Sequence, residues 1–404
     1  MSTRLVILTE IIAPYRIPVF NALAHHQGID LHVLFLAETD PGLRQWPVYK
    51  DEIDFSYEVL PSHRLRLGRH SILLNRGVKS SLRNAAPDII VCGGYNYFAS
   101  WQTKLWAKRR QVPFVLWVES TDRDARGHNF LVEWLKAKFM RDCRGFIVPG
   151  KSSLEYVKNY LAAGQDVFIA PNAIDVDFFS RQAAALQKDA VAYRETLQLP
   201  ARFFLFTGRL VLEKGVFDLL DAYAKLAAEL RAEIGLVFVG EGPARADLAR
   251  RATRIVPGHI QFAGFAHREA LAAYYSLADV FVFPSHSDPW GLVVNESMVC
   301  GLPVIATDAA GCTADLVEDN WNGRVVRSRD VGQLASAMEE LARGSTLRHL
   351  MGSRSREHIL RYSPQACAAG IAGAALSLTA GRQKPQSGSQ SNVLSDHALQ
   401  ERHG

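Results

Sequence analysis

Two carboxylates eight positions apart, Asp288 and Glu296, lie in FVFPSHSDPWGLVVNESMVCGLPVIATD (Phe281 to Asp308), with a glycine and a helix start between them. A carboxylate accepts several hydrogen bonds, so the pair can serve as acid and base or grip different hydroxyls of one elongated ligand. Upstream, Arg209 and Lys214 flank the turn of LFTGRLVLEKGVFDLL (Leu205 to Leu220). An arginine holds two phosphate oxygens at once, a lysine adds a point charge, and the helix opening after Gly215 turns its positive end to the same place. Alone, these cations read more simply as a surface arginine and a helix-flanking lysine. With Asp288 and Glu296 in the same unit, they read as a phosphate site beside a hydroxyl site.

The elements that must position these groups follow from apolar periodicity. Phe281 to Phe283 is a short buried strand stopped by Pro284, Ser285 to Gly291 a polar loop, Leu292 to Cys300 a helix and Val304 to Thr307 a second strand. The loop therefore sits at the carboxyl end of a parallel strand, where open α/β sheets bind ligands. The same alternation recurs along the chain. Strands are expected at Arg4 to Thr9, Leu31 to Leu36, Ile89 to Cys92, Phe114 to Val118, Phe146 to Val148 and Val167 to Ala170. A second series starts at Phe203 to Thr207 and continues through Gly235 to Val239 and Ile260 to Phe262. The fold class is α/β, with two Rossmann-like domains. The expected divisions are 1–175, a linker at 176–200, a second domain at 201–378, and a disordered polar tail at 379–404. Arg16 in the loop after the first strand, Gly93 and Gly94 after another and Glu119 after a third all fall on one rim of the first sheet.

GRLVLEKG, VGEGPARADL (Val239 to Leu248), the Phe281 to Asp308 stretch and PNAIDVDFF (Pro171 to Phe179) resemble successive motifs of the retaining nucleotide-sugar glycosyltransferases of family 4, which have the two-domain GT-B fold. The likeness is specific over Leu161 to Arg327 and loose before it, through APYRIPVFNALA. It implies two domains facing a central cleft, with the last helix packing back on the first domain, and a sugar transfer from a nucleotide-sugar donor with retention of configuration. It also distributes roles. Arg209 and Lys214 would neutralise the departing diphosphate. Glu296 would accept from the two ribose hydroxyls, and Asp288, with the amides of Trp290, Gly291 and Leu292, would hold the transferred sugar. The backbone around Gly264, Phe265 and His267 would meet the base, and Arg16 joins the donor-binding set. Asp288 stands where the family usually has Glu, and Glu119 where many members have His. Glu119 could position or deprotonate the acceptor, more so if burial raises its pKa. His128 is another candidate for that task. No cofactor or metal is expected.

Three patterns imitate other chemistry. GFIVPGKS (Gly145 to Ser152) satisfies a phosphate-loop pattern and opens the alternative of an NTPase using Lys151, but its middle residues FIVP read as strand, not turn. Asp122/Asp124 and Asp175/Asp177 imitate a metal-binding Asp-x-Asp. Gly240 and Gly242 are a fragment of a dinucleotide fingerprint, while the first strand leads into IIAPYR without a glycine, which argues against an NAD enzyme. A non-catalytic nucleotide-sugar-binding protein is the other alternative.

The 404 residues carry a net charge of +5 and 48% hydrophobic residues, enough for two cores. The charge is uneven: from Leu60 to Val112 ten Lys or Arg face one acid, Asp88. Such a face suits an anionic substrate or an anionic membrane surface, or is simply solvated; no nucleic-acid partner is expected. The segment WLKAKFMRDCR (Trp134 to Arg144) could lie on a membrane or pack on its own domain. Five scattered cysteines without a CxxC pair, and an N-terminus that passes directly into a strand, lead to the expectation of a cytoplasmic protein, peripheral at the inner face of the plasma membrane. The acceptor expected is a glycan or lipid-linked glycan.

Overall fold

The computed structural model describes residues 2–40, 47–67, 70–124, 130–186, 189–255 and 259–380. The first half runs β1 (Thr3–Thr9), α1 (Ile17–Ala24), β2 (Ile29–Phe35), β3 (Ser56–Val59), β4 (Ser62–Leu67), β5 (His70–Asn75), α2 (Val78–Ala85), β6 (Ile89–Cys92), α3 (Phe98–Arg110), β7 (Phe114–Trp117), α4 (Phe130–Arg141), β8 (Gly145–Val148), α5 (Lys151–Lys158) and β9 (Asp166–Ile169). Then come α6 (Val176–Leu186) and α7 (Ala190–Thr196). The second half runs β10 (Phe203–Thr207), α8 (Val216–Lys225), α9 (Ala228–Glu233), β11 (Gly235–Val239), α10 (Arg245–Ala252), β12 (Ile260–Gly264), α11 (Arg268–Leu277), β13 (Val280–Phe283), α12 (Leu292–Val299), β14 (Val304–Thr307), α13 (Thr313–Leu316), β15 (Gly323–Val326), α14 (Val331–Arg343), α15 (Ser345–Ile359) and α16 (Pro364–Thr379).

Two parallel sheets result. The first has the order β3-β2-β1-β6-β7-β8-β9 and the second β12-β11-β10-β13-β14-β15, with β4 and β5 forming a separate antiparallel hairpin. Central strands such as β10 (FFLFT) are buried along their whole length because helices cover both faces, which is why they read as continuous apolar runs. In each sheet the strand order reverses once, between β1 and β6 and between β10 and β13. Crossovers leave in opposite directions at these points and open a crevice at the carboxyl ends of the strands.

Most of the segment expected as a linker at 176–200 is taken up by the helices α6 and α7. Val176, Phe179, Ala183 and Leu186 of α6 enter the core of the second sheet beside Tyr275 and Phe281. Its Ala/Gln/Lys-rich composition hides an apolar face at helical spacing. The hairpin β4–β5 and the edge strand β3 were not anticipated, since short strands rich in Arg, Ser and His carry little apolar signal. α16 returns to the first sheet, where Cys367, Ile371 and Ala375 join the cluster formed by Leu5, Ile7 and Phe20. All five cysteines are buried thiols. The tail from 381 onward and His128 lie outside the described residues.

Candidate functional site

The crevice between β10 and β13 is made by two loops that the backbone stitches together. The Glu213 carbonyl accepts from the His286 amide at 2.8 Å and from Ser285 Oγ at 3.1 Å. Gly215, at φ +66°, lets the first loop pass so close to Pro284 that a Cβ would collide with the Pro284 carbonyl. His286 reaches on to Asp218 of α8, Nε2 to Oδ2 2.8 Å. These contacts bring residues seventy-four positions apart together: the Lys214 ammonium is ion-paired with the Asp288 carboxylate. Lys214 also lies 5.7 Å from the centre of the Phe283 ring. Arg209 is exposed on the same β10–α8 loop.

Gly291 sits at φ +98° immediately before α12, and a Cβ there would stand 2.6 Å from the Phe283 ring. The left-handed turn aims the start of α12, Leu292, into the crevice. Asp288 Oδ1 accepts from the Trp290 amide at 3.3 Å, so that amide serves Asp288 rather than a ligand. The Trp290 indole is buried; its Nε1 donates to Asn295 Oδ1 at 2.9 Å, and Asn295 Nδ2 donates to the Asn172 carbonyl at 3.0 Å. Trp290 thus belongs to the join between the two halves, a correction to its expected place among the sugar-holding groups.

Glu296 lies one turn further along α12. Its Oε2 accepts from the Tyr275 hydroxyl of α11 at 2.7 Å, and that hydroxyl is also 2.7 Å from Thr207 Oγ1 at the end of β10. Burial pushes the Glu296 carboxyl up to about 7, with the Tyr275 hydrogen bond opposing the rise. Burial likewise raises the Tyr275 phenol well above its ordinary value, with the Glu296 charge adding to it. The pair was not foreseen: AAYYSLAD carries helical periodicity but nothing to say which tyrosine faces a carboxylate. At the same sheet edge, Gly264 ends β12 at φ +79°, and Phe265 and His267, both exposed, meet edge to face with ring centres 5.0 Å apart.

The reversal point of the first sheet holds a cavity of about 280 Å³, near the lower end of the roughly 300–1,000 Å³ usual for ligand sites. Glu10, Arg16, Gly94, Trp117 and Glu119 line it, and so does Pro289 from the loop that carries Asp288. Arg16 forms an ion pair with Glu119 and stacks 4.0 Å over the Trp117 ring. Burial works against the Arg16 charge, but Glu119 and its other neighbours outweigh it and hold the guanidinium above its ordinary value. Arg16 therefore stands in the first-sheet cavity rather than in the crevice of Lys214 and Asp288. The Glu119 charge is already partnered by Arg16.

The phosphate-loop look-alike is occupied by protein. β8 takes Gly145 to Val148, as its apolar middle requires, and the start of α5 is closed from the other half. Asp315 Oδ2 accepts from the Lys151 amide at 2.9 Å, the Lys151 ammonium donates to the Ala314 carbonyl at 3.0 Å, and Ser152 Oγ donates to the Gly311 carbonyl at 3.0 Å. The NTPase alternative loses its phosphate seat. Asp175 caps α6, its Oδ1 accepting from the Phe178 amide at 2.9 Å, and Asp122 Oδ1 accepts from Asn159 at 3.2 Å. The Asp124 side chain lies outside the described residues.

The family described as Glycosyl transferases group 1 matches residues 192–358, and that described as Glycosyltransferase Family 4 matches residues 20–178. D-inositol 3-phosphate glycosyltransferase 2 of Catenulispora acidiphila is 33% identical over 230 residues, 54% of this chain and 52% of the relative. The chain spans about half the length of the curated relatives it matches. Among solved structures, sucrose-phosphate synthase from Thermosynechococcus elongatus superposes with a TM-score of 0.70 at 19% identity, over 93% of this chain and 99% of that one. Anabaena Alr3699/HepE in complex with UDP-glucose does so with a TM-score of 0.69 at 18% identity, over 92% and 99%. At these identities the likeness is one of fold.

Proposed function

Since the chain belongs to the GT-B glycosyltransferases of the family 4 kind, we propose that it moves a sugar from a nucleotide-sugar donor to an acceptor hydroxyl, with retention of configuration. The observation that carries this reading is the meeting of two crevices. Pro289, next to Asp288, also lines the cavity of Glu119 and Trp117, so a sugar held by the Asp288 loop faces a hydroxyl held by the first domain. Either crevice alone would be a binding site; two opening on each other make a transfer site. A fold neighbour holding UDP-glucose supports the donor class.

In this reading donor arrival divides the Lys214–Asp288 pair. The ammonium turns to the diphosphate with Arg209, and the freed carboxylate accepts from sugar hydroxyls beside Gly291 and Leu292. Glu296 has Oε2 committed to Tyr275 and offers its other oxygen to the ribose. Gly264, Phe265 and His267 border the base. The bond from the anomeric carbon to the diphosphate oxygen breaks as the bond to the acceptor oxygen forms. The developing negative charge is met by Arg209, Lys214 and the α12 start, a positive field that removes the need for a metal. Glu119, already paired with Arg16, serves to orient the acceptor hydroxyl, whose proton leaves with the diphosphate. The acceptor is a glycan or lipid-linked glycan of envelope or exopolysaccharide synthesis, a class supported by the basic first half. Among the described residues no helix is long and apolar enough to cross a membrane.

A thermal-shift panel of UDP-, GDP-, ADP- and dTDP-sugars tests the donor half: one nucleotide should raise the melting temperature well above the others. Equal, negligible shifts from all four would sink the reading.

A further inference from the structure

The hairpin β4–β5 and helices α2, α3 and α4 form one layer over one face of the first sheet. Leu73, Leu82, Ala107, Phe139 and Met140 from these elements share a single core with the strands. α3 lies in the middle of the layer. It packs on β5 on one side, and on the other its Trp101 ring is 4.8 Å from Phe139 of α4. Lys104 binds α4 further, its ammonium donating to the Phe139 carbonyl at 2.7 Å. Because every member gives its inner side to that core, their outer sides face one way.

Those outer sides are apolar where a solvated surface would be polar. Phe130 is 83% exposed and Trp134 48%, one turn apart on α4, and Leu131 beside them is 59% exposed. Phe98, at the start of α3, is 58% exposed. In the hairpin, Leu65 and Ile72 are register partners, 42% and 43% exposed, while Leu73 between the outward positions is buried. Strand alternation therefore turns one apolar face of the hairpin outward. Scattered exposed apolar residues need no explanation, but a set gathered on one layer does.

The same layer is cationic. Arg76, Lys79 and Arg83 on and before α2 are exposed, as are Lys108, Arg109 and Arg110 at the end of α3. Lys138 stacks 4.8 Å over Trp134. The nearby acids are engaged, Asp142 with Lys104 and Lys108 and Glu133 with Lys136. Apolar side chains flanked by cations match an anionic lipid surface: apolar groups enter the headgroup boundary and cations meet lipid phosphates. A second copy fits worse, because a two-fold interface would set this cationic patch against itself. Phe98 and Phe130 begin helices that follow parallel strands, so they stand at the carboxyl edge of the sheet, the rim on which the cavity of Glu119 opens.

We propose that this layer docks the protein on an anionic membrane surface, with Phe98, Phe130, Trp134 and the hairpin's Leu65 and Ile72 in the headgroup region. Docking stands without the transfer reading. What rests on that reading is the corollary that the cavity is held where a lipid-borne acceptor hydroxyl would lie.

Sedimentation with phosphatidylcholine vesicles, and with vesicles of equal parts phosphatidylcholine and phosphatidylglycerol, tests it. The protein should partition to the anionic vesicles at low salt and far less to the neutral ones. Phe130→Asp/Trp134→Asp changes exposed side chains only, so melting temperature and donor binding should hold while partitioning falls at least about tenfold. Arg109→Glu/Arg110→Glu should reduce it several-fold and flatten its salt dependence. No partition to anionic vesicles at low salt, or partition unchanged by the apolar pair, overturns the proposal. So does a concentration-dependent dimer that this pair disperses. Vesicle binding without sugar transfer would leave docking standing and sink the transfer reading; soluble transfer without vesicle binding would do the reverse.

Discussion

The two crevices occupy equivalent points of two parallel sheets and are furnished differently. In the second domain the walls carry polar side chains in short-range pairs, Lys214 with Asp288 on loops joined by backbone hydrogen bonds, and Tyr275 of α11 with Glu296 of α12. In the first domain one ion pair, Arg16 with Glu119, stands against the face of Trp117, and Glu10, the rings of Tyr15, Phe20 and Tyr95, and the small Gly93 and Gly94 complete the lining. A site built from charges and hydroxyl-gripping carboxylates suits a diphosphate-bearing ligand of fixed shape. A cavity with an aromatic wall and a spent charge suits a ligand recognised by shape and a few hydroxyls. Under the proposed transfer, the same topological device would serve a demanding partner on one side and a permissive one on the other.

Substitutions in one crevice should leave the other's function intact, and the largest effect should come from the donor side. Lys214→Ala should lower the transfer rate by about 10²–10³-fold, the usual loss when one charge-stabilising donor is removed, with the far-UV spectrum unchanged. Near-normal turnover would remove Lys214 from the reaction. Next, Glu119→Gln should raise the acceptor KM roughly tenfold while slow donor hydrolysis continues at its former rate. If donor hydrolysis falls with it, the two crevices are not separable in the way described.

Glu296 offers a pH test. Burial raises its carboxyl to about 7, so the folded state holds this proton more tightly than the unfolded chain. Its contribution to stability is full below the ordinary carboxylate pKa and is lost as pH rises through about 7. Glu296→Gln should therefore gain thermal stability relative to the wild type between about pH 5 and pH 8, on the order of 3 kcal/mol at most. A constant difference across that range would contradict the raised pKa. The smallest effect is expected from Tyr275→Phe. Removing the hydroxyl that opposes the rise should move the pH midpoint of donor affinity upward and raise the donor KM a few-fold, with kcat preserved. A kcat loss at unchanged pH midpoint would make Tyr275 structural only.

Much of this was legible in residue order. Central strands buried on both faces show as apolar runs such as FVFP and FFLFT, and Arg209, Lys214, Asp288 and Glu296 announce themselves by type and by their place after strands. What escaped was of two kinds. α6 reads as a linker because its apolar residues are interspersed with Gln, Arg and Ala, and the hairpin gives little signal because its short strands are rich in Arg, Ser and His. Tyr275 and Asp315 escaped because their partners lie far away in sequence: the cap that Asp315 places on α5 is 164 positions from Lys151. The place of Trp290 differs from the expected one because its partner Asn295 reaches Asn172, 123 positions away.

The sequence by itself determined which elements form and which residues end up at strand termini, since periodicity, prolines and glycines act over a few neighbouring positions. Only the tertiary structure decided which termini meet. The reversal of strand order between β10 and β13 pairs Lys214 with Asp288. That between β1 and β6 opens the cavity around Arg16 and Glu119, and the packing of the two halves adds Pro289 to its wall. Long-range pairing of this kind depends on the order in which strands add to a sheet, and no local pattern encodes that order.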